Sequence, residues 1–303
     1  MPFDAPVPPQ YSLYRQQHSL AGDIILSGVG VHSGETADIR ITPAPIDHGI
    51  VFIRSDLATD NTIPADFSNV TNTQLCTVIQ NASGASIATI EHVMAALRGL
   101  GVDNAKISVS GSEVPILDGS AAPFIAAIDA VGIIEQAAPR RVLRILRDVR
   151  VGDDKSFASI SPATHSEFEF QIDYPGTAIG SQKYDVRLIN GNFRHDIAAA
   201  RTFGLRSDVD QLRAMGFARG GSLENAIVVD GDEILNTDGL RFDDEFVRHK
   251  VLDAIGDLYL AGAPIMGRYH GHRAGHSLNN QLLRAVFADP ANYVFETVAS
   301  VVA

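Results

Sequence analysis

Only one cysteine, Cys76, occurs in the 303 residues. No internal disulfide can form, and a chain of this length without a disulfide framework fits a reducing compartment. Nowhere do about 18 apolar residues run uninterrupted, so no helical membrane span is expected. Basic residues are scarce as well: 24 Lys and Arg against 36 Asp and Glu leave a formal net charge of −12. That balance repels phosphate backbones and provides no basic patch or stripe, so nucleic acid is not expected as a partner. Met1-Pro2-Phe3-Asp4-Ala5-Pro6-Val7-Pro8-Pro9 has neither a basic start nor an apolar run. It reads as a flexible Pro-rich leader rather than a signal peptide. These absences predict a cytoplasmic protein, and with no association face legible, a monomer.

What is present is material for a folded core. Hydrophobic residues make up 45% and charged residues 20%, an ordinary globular balance. The length suggests about two domains of ~150 residues. From Gly22 to Arg54, β-branched runs such as Ile24-Ile25-Leu26, Ala37-Asp38-Ile39-Arg40-Ile41 and Ile50-Val51-Phe52-Ile53 alternate with glycines and read as paired strands. Ile90, Val93, Met94 and Leu97 then recur at three- and four-residue spacing. They predict a helix capped by Thr89 and ended by Gly99 and Gly101. Residues 105–109 return as a strand, and a loop over 113–120 leads into a helix at 122–131 with Pro123 in its first turn. Residues 136–141 look like a linker. Strands resume at 142–146, 157–160 and 168–172, followed by a long helix at about 243–260 and another near 279–287. Both halves run strands then helices, which predicts an α+β fold of two related domains, 1–138 and 139–303.

The long helix carries two stripes. Val247, Val251, Ala254, Ile255 and Leu258 form an apolar face, while His249, Asp253 and Asp257 stack along one side at four-residue spacing. A His and an Asp one turn apart can share an ion, although such pairs also arise by chance on solvated faces. A second imidazole stands in Glu91-His92 of the first half. Two imidazoles and a carboxylate suit zinc, and three protein ligands leave a fourth position for water, as catalytic sites do. Adjacent helical residues point ~100° apart, so Glu91 is placed to reach the water as a general base. Glycines at 267, 271 and 275 suggest a turning loop, with His270 and His272 on its surface. His276 directly precedes a helix, a fixed point from which it can donate a proton or stabilise charge. Arg201-Thr202-Phe203-Gly204 sets a hydroxyl beside a ring, and Cys76 reads as a small core residue.

Taken together, these segments resemble one family, the UDP-3-O-acyl-N-acetylglucosamine deacetylases, zinc amidases of lipid A synthesis. The matching stretches are Gly28-Val29-Gly30-Val31-His32-Ser33-Gly34, Thr89-Ile90-Glu91-His92, 99–104, 113–124, 200–204, 240–250, 253–258 and Gly275-His276-Ser277-Leu278-Asn279-Asn280. They run in order from about residue 20 to the C-terminus. The resemblance implies two similar domains, each a mixed β-sheet with a pair of helices, the helices sandwiched between the two sheets as in the second domain of ribosomal protein S5. It implies one zinc per chain, with iron(II) as the alternative in cells, held by His92, His249 and Asp253. It further implies an acylated UDP-sugar as substrate and hydrolysis of its 2-acetamido group.

In that scheme Glu91 is the base, and Thr202 helps zinc to stabilise the oxyanion. His276 supplies positive charge and the proton for the departing amine, and Asp257 orients it. Lys250 contacts substrate or developing charge, Phe203 packs on the glucosamine, and Lys155 matches a substrate-binding lysine. The segment after Phe203 corresponds to an insert forming an apolar passage for the 3-O-acyl chain. Leu205, Val209, Leu212, Met215, Phe217, Ala226 and Val228 are candidates for its wall. Cys76 matches a cysteine near the site mouth able to take a second, inhibitory metal. One departure stands out: many relatives carry Asp-Phe-x-His-Pro where this chain reads Asp173-Tyr174-Pro175-Gly176, so no nucleotide contact is carried over there. The same domain also occurs in nucleic-acid proteins, but the charge and the full ligand set weigh against that reading. A zinc amidase acting on another acyl-sugar nucleotide stays open.

Overall fold

The computed structural model describes residues 15–189 and 191–298, and the Pro-rich leader lies outside them. A five-stranded sheet from the first part of the chain has the order Ile24–Val29, Thr36–Pro43, Ala105–Val109, Ile50–Arg54, Thr62–Pro64. Its pairs are antiparallel except that between Ala105–Val109 and Ile50–Arg54. Along Thr36–Pro43, Ala37, Ile39 and Ile41 are buried while their neighbours face outward, the period of two that gives a sheet one apolar face. A seven-stranded sheet comes entirely from the second part. Ile265–His272 is its central strand, pairing with Phe157–Ser161, Ser166–Tyr174 and Arg141–Ile145.

The helices are α1 (Glu91–Leu100), α2 (Ala122–Val131), α3 (Phe193–Asp196), α4 (Arg206–Ala214), α5 (Glu245–Leu258) and α6 (His276–Ala288). Val93, Met94 and Leu97 of α1, Phe124 and Ile128 of α2, Val251 and Ile255 of α5 and Leu282 of α6 join the strands in one core. A smaller sheet of Phe203–Leu205, Ile227–Asp230 and Glu233–Ile234, with α4, is inserted in sequence between two strands of the seven-stranded sheet, Gly180–Arg187 and Ile265–His272.

Three local expectations need correction. The segment expected as a turning loop at 267–275 is largely the central strand Ile265–His272. Its glycines make room for neighbours instead of turning the chain: a Cβ on Gly271 would collide with Phe170 and Tyr269, and one on Gly267 with Ile145. The expected linker at 136–141 is β-structure. Ile133–Pro139 pairs with Gln16–Leu20, and buried Arg140 donates from Nε to Asp103 Oδ1 at 2.8 Å. Thr89 is not the cap of α1 either. It has φ 60° and donates its hydroxyl to Glu113 Oε1 at 2.9 Å, while α1 begins at Glu91 behind an uncapped Ile90.

The polar stripe on α5 is not a solvated face. His249, Asp253 and Asp257 are as buried as Val247, Val251 and Leu252, and in α5 only Arg248 and Lys250 escape burial. Each large apolar side chain buried here contributes roughly 1.5–3 kcal/mol, which offsets the cost of taking ionisable groups out of water. Helix α5 also lies unusually close to α1. A Cβ on Gly256 would run into the Glu91 carbonyl and stand 3.1 Å from the Ala95 nitrogen. With no side chain between them, the backbones bring His92 opposite His249 and Asp253.

That contact yields a prediction. Gly256→Ala should force the helices apart, cost about 1–3 kcal/mol as overpacking does, and lower metal occupancy. Chemical denaturation together with elemental analysis of the purified variant would check both effects.

Candidate metal centre and active site

His92 on α1 and His249 and Asp253 on α5 offer ligand atoms that all lie within 4.8 Å of one another. His249 Nδ1 donates to the Ala200 carbonyl at 3.1 Å. That bond fixes the tautomer and leaves Nε2 as a lone-pair donor, the usual device at metal-binding histidines. His249 Nε2 lies 3.3 Å and His92 Nε2 3.6 Å from the same oxygen, Asp253 Oδ1. That oxygen is buried without a hydrogen-bond partner, while Oδ2 accepts from Lys250 Nζ at 2.6 Å. A buried, unpartnered carboxylate oxygen is costly unless a cation meets it.

The electrostatics agree. Burial pushes His249 down to about 3, so its ring is neutral, as a ligand must be. Burial opposes the charge on Asp253 too, but His249 and the Lys250 ammonium outweigh it and hold the carboxyl well below its ordinary value. Two nitrogens and one anionic oxygen form a donor set suited to zinc and similar divalent ions.

Beside the ligands is an acid–base pair. Glu91, first residue of α1, accepts the Thr77 N–H on Oε2 at 3.1 Å, and its Oε1 lies 3.8 Å from His276 Nε2. His276 Nδ1 meets Asp257 Oδ2 at 2.8 Å. Asp257 also receives the Thr77 hydroxyl on Oδ1 at 2.6 Å and the Asn279 amide on Oδ2 at 2.8 Å. Asn279 is held in turn by the Tyr269 hydroxyl at 2.7 Å. Burial alone would discharge His276, but Asp257 and Glu91 together raise it to about 9. Burial raises the Glu91 carboxyl above its ordinary range, against the pull of His276 and His92. Shifted groups gathered in one cleft mark a candidate site for chemistry.

Thr202 is held by its own backbone, its N–H on Gly119 O and its carbonyl on the Ile227 N–H, both at 2.8 Å. The preceding residue, Arg201, is buried against Glu245, donating from N and Nε to Oε1 at 2.9 Å each. This anchors residues 200–202 to the start of α5, and with them the carbonyl that orients His249. Thr202 and Phe203 share with Glu91 and His92 the lining of a cavity of about 540 Å³. The cavity runs on past Leu205, Val209, Leu212, Ala226 and Val228. Met215 and Phe217 stay out of its wall: Met215 is 48% exposed, and the Phe217 ring packs edge-on against His32.

A second cavity of about 420 Å³ includes Tyr174, Lys250 and Arg273 and shares Leu205 with the first. Lys155 lies apart on an exposed turn, its N–H on Asp153 Oδ1. Cys76 is buried, and burial and Glu91 push its thiol up to about 12. It is not among the clustered ligands. Thr77, Asn279, Arg201 and Glu245 had no assigned role in the sequence reading. Arg201, Glu245 and Asn279 fall within the stretches that carry the resemblance, but nothing in their residue type marks them.

Comparison with known proteins places the chain in company. The family model for UDP-3-O-acyl N-acetylglycosamine deacetylase matches residues 17–288. A protein of Phenylobacterium zucineum named UDP-3-O-acyl-N-acetylglucosamine deacetylase is 50% identical over 284 residues, covering 93% of this chain and 97% of its own. Proteins of the same name from Myxococcus xanthus and Shewanella baltica are each 48% identical. The first covers 91% of this chain and 88% of its own, the second 86% of each.

The raised His276 makes a testable demand on the metal-free protein. A histidine held above its unfolded value of 6.5 contributes stability that is complete below pH 6.5 and is lost as pH climbs through about 9. Denaturation of the chelated protein should therefore show stability falling across that window, and His276→Ala should flatten the fall.

Proposed function

Because the chain belongs to the UDP-3-O-acyl N-acetylglycosamine deacetylase family, we propose that it hydrolyses the 2-acetamido group of UDP-3-O-(hydroxyacyl)-N-acetylglucosamine. Acetate is released, the committed step of lipid A biosynthesis. One observation carries the reading: the unpartnered Asp253 Oδ1 facing two imidazoles, beside a Glu91–His276 pair at one end of an apolar cavity. His92, His249 and Asp253 would hold one zinc, and iron(II) fits the same donors. When bound, the ion polarises the acetamide carbonyl and makes its water acidic near neutral pH.

The chain's own residues supply the proton traffic. Glu91 Oε1, the oxygen that Thr77 leaves free, takes the proton from the attacking water. His276, kept cationic by Asp257, stabilises the developing negative charge and gives the Nε2 proton to the departing amine. The Thr202 hydroxyl donates to the oxyanion from the cavity wall. Phe203 packs on the sugar, and the apolar cavity beyond it takes the 3-O-acyl chain. Lys250 and Arg273 in the second cavity suit the diphosphate. Lys155, next to the wall residue Ser156, adds a cation at the rim.

The five- and seven-stranded sheets, each drawn from one part of the chain, and the packing of α1 on α5 support two similar domains of the ribosomal protein S5 kind. Their boundary falls near residue 138, and their helices lie between the sheets. A UDP-sugar substrate and a single cysteine fit a cytoplasmic monomer. No helix of the described residues is long and apolar enough to cross a membrane.

Incubated with the acylated UDP-sugar, the protein should release acetate, with little release from UDP-GlcNAc and none after chelation. Glu91→Ala should keep its metal and lose about 10²–10⁴-fold in turnover. Full activity in that variant would remove Glu91 from the base role.

A further inference from the structure

One residue bonds both carboxylates that flank His276, Glu91 through its backbone N–H and Asp257 through its hydroxyl. Thr77 is 2% exposed. Its N–H donates to Glu91 Oε2 at 3.1 Å, and its hydroxyl donates to Asp257 Oδ1 at 2.6 Å. Each carboxylate therefore spends one oxygen on Thr77 and turns the other toward His276. Asp257 Oδ2 lies 2.8 Å from Nδ1, and Glu91 Oε1 3.8 Å from Nε2. Carboxylate torsions are broad and two-fold, so without such a tie neither group has a single preferred orientation. Asn279 holds Asp257 only through Oδ2, the oxygen already shared with His276. Among the described residues, the Thr77 hydroxyl is thus the one hydrogen bond to Oδ1. It also joins the first part of the chain to α5 across 180 residues.

We propose that Thr77 is a positioning residue of the reaction: its hydroxyl sets the Asp257 carboxylate, and through it His276, in register with the Glu91 oxygen that takes the proton. The inference rests on the deacetylase reading, and its consequences fall on kcat. Substrate pockets and metal ligands do not contact Thr77, so KM and zinc content stay at wild-type values.

The test compares Thr77→Val, which removes the hydroxyl but keeps size and backbone N–H, with Thr77→Ser, which keeps the hydroxyl. Thr77→Val should lower kcat about 10- to 100-fold, the range for losing a hydrogen bond to a charged group. Thr77→Ser should stay within about threefold of wild type. In a His276→Ala background the valine should cost almost nothing more, since residues acting as a unit are non-additive. A readout independent of turnover is the downfield Nδ1–H proton of His276 in the zinc-free protein, assigned by its absence in His276→Ala. It should persist in Thr77→Ser and broaden away in Thr77→Val. Unchanged kcat in Thr77→Val, equal losses in both variants, or an undiminished loss in the His276→Ala background would each overturn the assignment. A wild-type protein that releases no acetate would instead refute the deacetylase reading, and the proton spectrum would still decide the role of Thr77.

Discussion

The contact of α1 with α5 at Gly256 governs the site. Helices in proteins ordinarily pack 8–10 Å apart because side chains stand between them. Here the Glu91 carbonyl occupies the space a Cβ would need. The close approach lets a histidine from one helix and a His–Asp pair from the other reach a single point. It also sets Glu91, the first residue of α1, beside that point, so geometry at one glycine settles both the spacing of the His92, His249 and Asp253 side chains and the place of the Glu91 carboxylate.

Around that contact, neighbours assign each buried ionisable group its own state. His249 and His276 are both buried imidazoles, yet one is pushed to about 3 and the other to about 9. The difference lies in their partners. At His249 burial dominates, and the pull of its one carboxylate, Asp253, is opposed by His92 and the Lys250 ammonium, whereas His276 lies between two carboxylates. One ring therefore offers a lone pair and the other a proton, the division of labour that pairs of titratable groups in opposed environments create.

Much of this was legible in the chain itself. Three- and four-residue spacing located α1 and α5, and the β-branched runs located four of the five strands of the first sheet, all but the short Thr62–Pro64. The His249–Asp253 spacing was visible but locally indistinguishable from a solvated face. Its burial against α1 is a tertiary fact, and a one-turn window contains no trace of it. The glycines at 267 and 271 misled because a glycine that makes room for Phe170 or Ile145 looks the same as one that turns the chain. Thr77 was illegible for a similar reason. Threonines are common, and its partner Asp257 lies 180 residues away. Asn279, bonded to an aspartate 22 residues back, carried no mark beyond its place in a matching stretch at the start of a predicted helix.

The small sheet and α4, which wall much of the cavity beyond Thr202, differ in kind from the rest. No residue of α4 is buried, and the three short strands form a sheet of their own, tied to the core through Ile227 and Val229. The seam between α1 and α5 tolerates almost no change, since a single methyl group there meets backbone. Substitutions on α4 can therefore reshape the far wall of the cavity from outside, with the reaction centre left unaltered.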